Sequence, residues 1–287
     1  MTTKDVCQLG AGGWPPKNNT GGHQNQTALN DVERNQLQTG CFSQEERTQI
    51  CRAIQKKYAA VSSSAEGYFK YTVGKTGALA LGYDSDLVEQ APSELIGSFC
   101  GVGNPFTISP LQEGSTVLDI GSGAGFDLYV ASCYVGKHGK VIGTDLTEEM
   151  VEKARYNMEK LAVPNAEVHL VSTQTLPFED STFDVVLSNG VINLSPEKQH
   201  LFSEIFRVLK SGGRLQFADI MLEKKLPPHL AVSVESWSQW IGGAISGRDQ
   251  LELMEQAGFI EVALVATTPV TTSDFTVGAL FTGTKPR

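Results

Sequence analysis

Ser115-Thr-Val-Leu-Asp-Ile-Gly-Ser-Gly-Ala-Gly-Phe-Asp127 is the stretch whose reading decides the fold. Val117, Leu118 and Ile120 form the short apolar run of a strand buried in a parallel sheet. Gly121, Gly123 and Gly125 follow at alternate positions, and Phe126 to Val135 is apolar over the length of a short helix. Strand, glycine turn and helix N-terminus make a corner at which a ligand lies against bare backbone. Asp145 stands twenty residues past Gly125, at the end of a second apolar strand. An acidic residue so placed accepts hydrogen bonds from both hydroxyls of a ribose.

Outward from this corner the pattern alternates. Strands are predicted at 116–120, 140–144, 167–171, 183–188 and 213–219, with helices at 124–135, 147–162 and 196–210. Thr147 before Glu148 and Glu149 is a helix start, and Ser211-Gly212-Gly213 is a helix stop. Short loops with this alternation predict an α/β chain whose mostly parallel sheet is wound on both faces. A last helix, Arg248 to Ala257, leads to strands near 260–266 and 275–283 that close the sheet as a hairpin.

The flanks divide the chain further. Residues 1–42 are rich in Gly, Asn, Gln and Thr and poor in aliphatics, and read as a mobile arm. Residues 43–110 read as a helical and loop segment covering the ligand corner. It begins with a capping box, Ser43 and Glu46, and carries Ile50, Ile54 and Tyr58 at helical spacing. A loop and a glycine-rich stretch to Gly82-Tyr83 follow, then a short helix near Asp86 to Glu89. The core spans 111–222, a cap with Trp237 and Trp240 is inserted at 223–247, and 248–287 closes the fold.

Composition narrows the function. The 287 residues suffice for a sizeable core, and 40% hydrophobic with 19% charged residues fits a soluble globular protein. A net charge of −9 argues against a nucleic-acid partner, which needs clustered Lys and Arg, and favours a small-molecule acceptor. No segment has the roughly twenty apolar residues of a membrane span. The N-terminus lacks an apolar leader, and Cys7, Cys41, Cys51, Cys100 and Cys133 fit neither a disulfide framework nor a zinc site. A reducing cytoplasm is the expected location.

Three readings of the corner compete. A dinucleotide site wants G-x-G-x-x-G, and here the third glycine comes one residue early. A plain βα turn would leave Asp119 merely capping the next helix. The third reading rests on the charge of Asp119, two residues before the first glycine. A carboxylate there favours a cation and disfavours a pyrophosphate. S-adenosylmethionine carries both an ammonium and a sulfonium. The corner resembles the first motif of class I methyltransferases.

More of the chain extends this likeness. Val141 to Met150, Ser188 to Lys198 with its Val-Ile-Asn-Leu-Ser-Pro block, Arg207 to Gly213 and Trp240-Ile-Gly-Gly-Ala244 resemble the arsenite methyltransferase branch, over roughly residues 55 to 260. The resemblance implies a seven-stranded, mostly parallel Rossmann-like methyltransferase sheet and S-adenosylmethionine as cofactor. It implies cofactor contacts from Asp119, Gly121, Ser122, Gly123, Gly125, Asp145, Leu146, Met150, Thr173, Gln174 and Asn189. Asn189, Cys100 and Trp240 are then the candidates at the methyl group. The family binds As(III) through cysteine thiolates, soft ligands for a soft metalloid. Where it has two of them, this chain has Gly190 and Trp240, and only Cys100 keeps a family setting. Cys51 lies among helical residues and is read as packing. No resident metal is expected.

These departures put a sulfide or thiol first among expected acceptors and arsenite second. Both attack a sulfonium methyl in line without a strong base. Carbon- or oxygen-directed methyl transfer and a non-catalytic cofactor-binding module are further alternatives. No His–carboxylate dyad is apparent, and His138, His169, His200 and His229 are read as solvated.

Overall fold

A computed structural model describes residues 42–171, 175–227 and 234–287. Seven strands form one sheet in the order β3-β2-β1-β4-β5-β7-β6. Strands β1 (Thr116–Ile120), β2 (Lys140–Asp145), β3 (Ala166–Leu170), β4 (Phe183–Asn189) and β5 (Leu209–Leu222) are parallel. β6 (Ile260–Thr267) and β7 (Thr276–Thr284) form the closing hairpin, with β7 antiparallel to β5. Successive strands step outward in one direction from β1 to β3 and in the other from β4. The carboxyl ends of β1 and β4 therefore flank a crevice, where ligands bind in open α/β sheets.

Among the described residues, α1 (Gln44–Val61), α2 (Gly74–Ala80), α3 (Ser85–Gln90) and α4 (Ser93–Ile96) precede the sheet. Helices α5 (Phe126–Val135), α6 (Glu148–Lys160) and α7 (Lys198–Val208) connect strands, and α8 (Val234–Ser238) and α9 (Gly247–Gln256) follow β5. The alternation of strand side chains sorts the core into two layers. Val117 joins Leu128 and Val151 beneath α5 and α6, whereas Leu118 and Ile120 join Leu201, Phe202 and Leu253 beneath α7 and α9. α7 follows its 3.6-residue period closely, with Leu201, Phe202, Ile205 and Val208 all buried. The α1 capping box is reciprocal: the Glu46 N–H donates to Ser43 Oγ at 3.2 Å and the Ser43 N–H to Glu46 Oε2 at 2.7 Å.

Two local expectations change. The glycine-rich stretch before Gly82 contains helix α2, although glycine is a poor helix former. Gly77 serves packing there, because an added Cβ would lie 2.5 Å from the Thr72 carbonyl. Ser211-Gly212-Gly213 does not follow α7 as a stop. α7 ends at Val208 and β5 begins at once, so these residues form an irregularity within the strand. Leu209 pairs with Phe183 and Arg214 with Val185, leaving Lys210 to Gly213 opposite Asp184 alone. The Lys210 ammonium donates to both Asp184 carboxylate oxygens at 2.9 Å and fixes the bulge. No described helix is long and apolar enough to cross a membrane.

Phe217 on β5 lies directly opposite Phe281 on β7, with ring centroids 5.1 Å apart and an interplanar angle of 17°. Both are fully buried. Phe281→Ala is expected to cost about 3–5 kcal/mol in urea denaturation. A loss below about 1 kcal/mol would mean that this strand junction repacks without a cavity.

Candidate active site

A cavity of about 930 Å³, including its mouth, opens over the carboxyl ends of β1, β2 and β4. The glycine corner forms its floor. The Gly121 and Ser122 N–H groups donate to the Thr144 carbonyl at 2.7 and 2.9 Å, which ties the turn to β2. Gly123 has φ +54° and nothing within 4 Å of where a Cβ would point, so its backbone faces open space. Gly125, at φ +95°, is the N-cap of α5.

Three carboxylates line this cavity: Asp119, Asp127 and Asp145. Among the described residues no lysine, arginine or histidine lines it. Asp119 is buried at the end of β1, and its Oδ2 has no hydrogen-bond partner among the described residues, nor has Ser122 Oγ. Burial, then the negative fields of Asp127 and Asp145, hold the Asp119 carboxyl well above the usual carboxylate range. A buried carboxylate without a partner is costly, and a cationic or hydrogen-donating ligand removes that cost. A pyrophosphate would meet three acidic side chains and no basic one among the described lining residues, which disfavours the dinucleotide reading.

Asp145 ends β2 with both oxygens engaged. Its Oδ2 accepts from the Gly123 N–H at 3.0 Å and its Oδ1 from the Thr147 N–H at 2.8 Å. Burial still raises its pKa, against the lowering effect of these N–H groups. Each oxygen keeps a second lone pair for a ligand hydroxyl. Leu146 and Met150 complete this side; Met150 is buried and belongs both to the core and to the cavity wall. Thr173 and Gln174 lie outside the described residues.

Asn189, at the end of β4, is a clamp. Its Oδ1 accepts from the Val102 N–H at 2.8 Å, and its Nδ2 donates to the Gly103 carbonyl at 2.9 Å and to Asp127 Oδ2 at 3.0 Å. Asp127 Oδ1 accepts from the Tyr83 hydroxyl at 2.6 Å. The side-chain amide is thereby committed to holding the loop after Cys100 against β4 and α5. Asn189 also lines the cavity, as its expected place beside the cofactor requires. Burial raises the Asp127 carboxyl to about 6, against the lowering hydrogen bonds from Tyr83 and Asn189.

The opposite side of the cavity is built by α1, the Cys100 loop and the segment after α8. Burial pushes the Cys100 thiol up to about 12, only partly offset by the nearby Lys57 ammonium, so it is protonated at neutral pH. Cys51 corrects its expected packing role, because it lines the cavity too. Its thiol is also raised, by burial and then by Glu197. Trp240 is fully buried and lines the cavity, with its indole N–H donating to the Tyr58 hydroxyl at 2.6 Å. Trp237 does not line it; its ring packs against Phe42, at 5.3 Å between centroids, and under the Lys198 ammonium. His138 and His200 are exposed, and no described histidine reaches the cavity.

Sequence reasoning assigned no site role to Tyr58, Tyr83, Asp127 or Cys51. Asp127 carried one usable signal, an acidic residue in the first helical turn after the glycine corner. Tyr58 and Cys51 share with Ile54 the face of α1 that reaches the cavity. Nothing local marked Tyr83.

Comparison with known proteins agrees with this geometry. A methyltransferase domain family matches residues 111–258. An arsenite methyltransferase of Halobacterium salinarum is 40% identical over 191 residues, which is 66% of this chain and 48% of that protein. One from Aquipseudomonas alcaligenes is 34% identical over 196 residues, 66% of this chain and 56% of that protein. The chain thus spans about half the length of the curated relatives it matches. Among solved structures, an arsenic(III) S-adenosylmethionine methyltransferase from Chlamydomonas reinhardtii is similar with a TM-score of 0.53 and 26% identity, over 76% of this chain and 75% of that one.

The buried carboxyls make stability depend on pH. Asp127 titrates at about 6 in the fold against an ordinary 3.8, so the unfolded chain releases this proton at lower pH. The resulting penalty grows as pH rises between those two values. Asp127→Asn is therefore expected to remove part of the fall in melting temperature from pH 3.8 to 6. Any constant cost of the new amide shifts the whole curve and leaves its slope alone. Parallel melting curves for the two proteins across that interval would show that Asp127 ionises normally.

Proposed function

The chain belongs to the methyltransferase domain family, and from that premise we propose that it transfers a methyl group from S-adenosylmethionine to trivalent arsenic. The observation that carries the cofactor is the acidic, lysine-free cavity with an unpartnered Asp119 oxygen beside the bare backbone of Gly123. In this reading Asp119, Ser122 and the Gly121 to Gly125 turn hold the amino-acid end. Asp145 takes the ribose hydroxyls, and Leu146 and Met150 border the adenine. The cofactor supplies an electrophilic methyl group on a sulfonium.

The residues around the acceptor orient it and exclude water. A soft lone pair displaces in line without a strong base, and the cavity offers no histidine among its described lining. The relatives named arsenite methyltransferases support arsenic as the acceptor, ahead of the sulfide or thiol that the sequence alone favoured. One observation keeps the thiol as the second reading. Cys51 and Cys100 are the only thiols lining the cavity among the described residues, and burial keeps both protonated. A trap of three thiolates for arsenic is not formed by these two.

Incubation with methyl-labelled S-adenosylmethionine and either arsenite plus glutathione, methanethiol or a phenol separates the readings. Label in a methylated arsenical is the expected result. Label only in dimethyl sulfide selects the second reading, and cofactor binding without any labelled product would leave a binding module. Asp145→Asn is expected to weaken cofactor binding by about 1.5–3 kcal/mol, roughly 10- to 150-fold in Kd by calorimetry, through lost ribose bonds. Unchanged affinity would remove Asp145 from the site.

A further inference from the structure

Trp240 is held where a bulky residue is rarely found. Its φ of +67° lies in the left-handed region, which persists only where the surroundings over-determine it. Its N–H donates to the Trp237 carbonyl at 3.0 Å, and its carbonyl accepts from Asn193 Nδ2 at 3.3 Å. The indole N–H is bonded to Tyr58, and the ring packs against Phe69 and Tyr71 with centroids 5.7 and 6.0 Å away. The far edge of the indole then reaches the end of β4. A Cβ added to Gly190 would lie 2.5 Å from Trp240 Cη2 and 3.0 Å from Cζ3. No real Cβ tolerates such a contact, and neither atom belongs to a flexible chain end. Ring and bare backbone fit only each other.

Resting on the methyl-transfer reading above, we infer that Trp240 and Gly190 form one interlocked wall that selects the acceptor. The wall presents an apolar ring edge and offers no ligand, since the one polar atom of the indole is turned to Tyr58 and Gly190 has no side chain. It therefore favours a neutral, soft acceptor with a small apolar substituent. It excludes one bearing an aromatic ring, because the space such a ring needs is already filled by an indole.

The test is binding to the full chain, by calorimetry, of methyl- and phenyl-substituted trivalent arsenicals and of methanethiol and thiophenol. It reads whether or not methyl transfer takes place. The wild type is expected to bind the phenyl compounds at least roughly tenfold more weakly than the methyl compounds. Trp240→Ala is expected to reverse that order. Trp240→Phe retains a ring but loses the edge that meets Gly190, so it shifts the order the same way by less and keeps the test decisive should the alanine variant not fold. Gly190→Ala is expected to lower the melting temperature in the native background and by less in the Trp240→Phe background. The residual loss there comes from the left-handed φ of +75° at position 190.

Equal binding of methyl and phenyl compounds by the wild type would overturn the wall. So would an unchanged order in both Trp240 variants, or an equal cost of Gly190→Ala in the two backgrounds. Size-selective binding without any transfer of label leaves the wall standing and removes the enzymatic reading instead.

Discussion

The site depends on three carboxylates held around one cavity with no lysine, arginine or histidine among its described lining residues. Asp119, Asp127 and Asp145 come from β1, α5 and β2, and each is raised above its ordinary pKa chiefly by burial. Desolvating a carboxylate costs several kcal/mol unless a partner offsets it. The protein offsets part with Tyr83 and Asn189 at Asp127 and with two backbone N–H groups at Asp145. It leaves Asp119 Oδ2 unpaired. The fold thus holds a charge deficit at the mouth of its parallel sheet, where a cationic ligand gains most from it.

The rest of the architecture keeps that deficit out of water. α1 crosses the cavity and is tied to both sides of it. Gln55 donates to the Leu146 carbonyl at 3.1 Å, on the cofactor side. Lys57 donates to the Ser238 carbonyl at 2.7 Å and Tyr58 accepts from Trp240, on the acceptor side. Arg47 is paired with Glu197. Opposite α1, Asn189 fixes the loop that carries Cys100. Roof and floor are therefore distant in sequence and joined by polar contacts that need each other for their geometry.

The pairing of Gly190 with Trp240 closes one wall of the cavity at a distance from the glycine corner. Each residue is unremarkable by itself. Together they place one ring where it leaves no room for any side chain at 190. The cofactor corner, built from β1, β2 and their loops, is untouched by this pairing.

The sequence by itself determined the sheet. Buried parallel strands such as β1 are apolar except where a residue such as Asp119 faces a ligand, and helices such as α7 repeat every 3.6 residues, so both are written locally. The glycine corner, Asp119 and Asp145 were legible for the same reason, since a close approach of backbone to ligand and a charge at a strand end are properties of single positions. Only the tertiary structure decided that Ser211 to Gly213 is a bulge, because that depends on Asp184 across the sheet. It alone brought Tyr83 to Asp127, Cys51 to the cavity and Trp240 to Gly190. Tyr83 and Asp127 are 44 positions apart, and Trp240 and its other partner Tyr58 are 182 apart, and no local periodicity encodes which distant side chain will fill a given space.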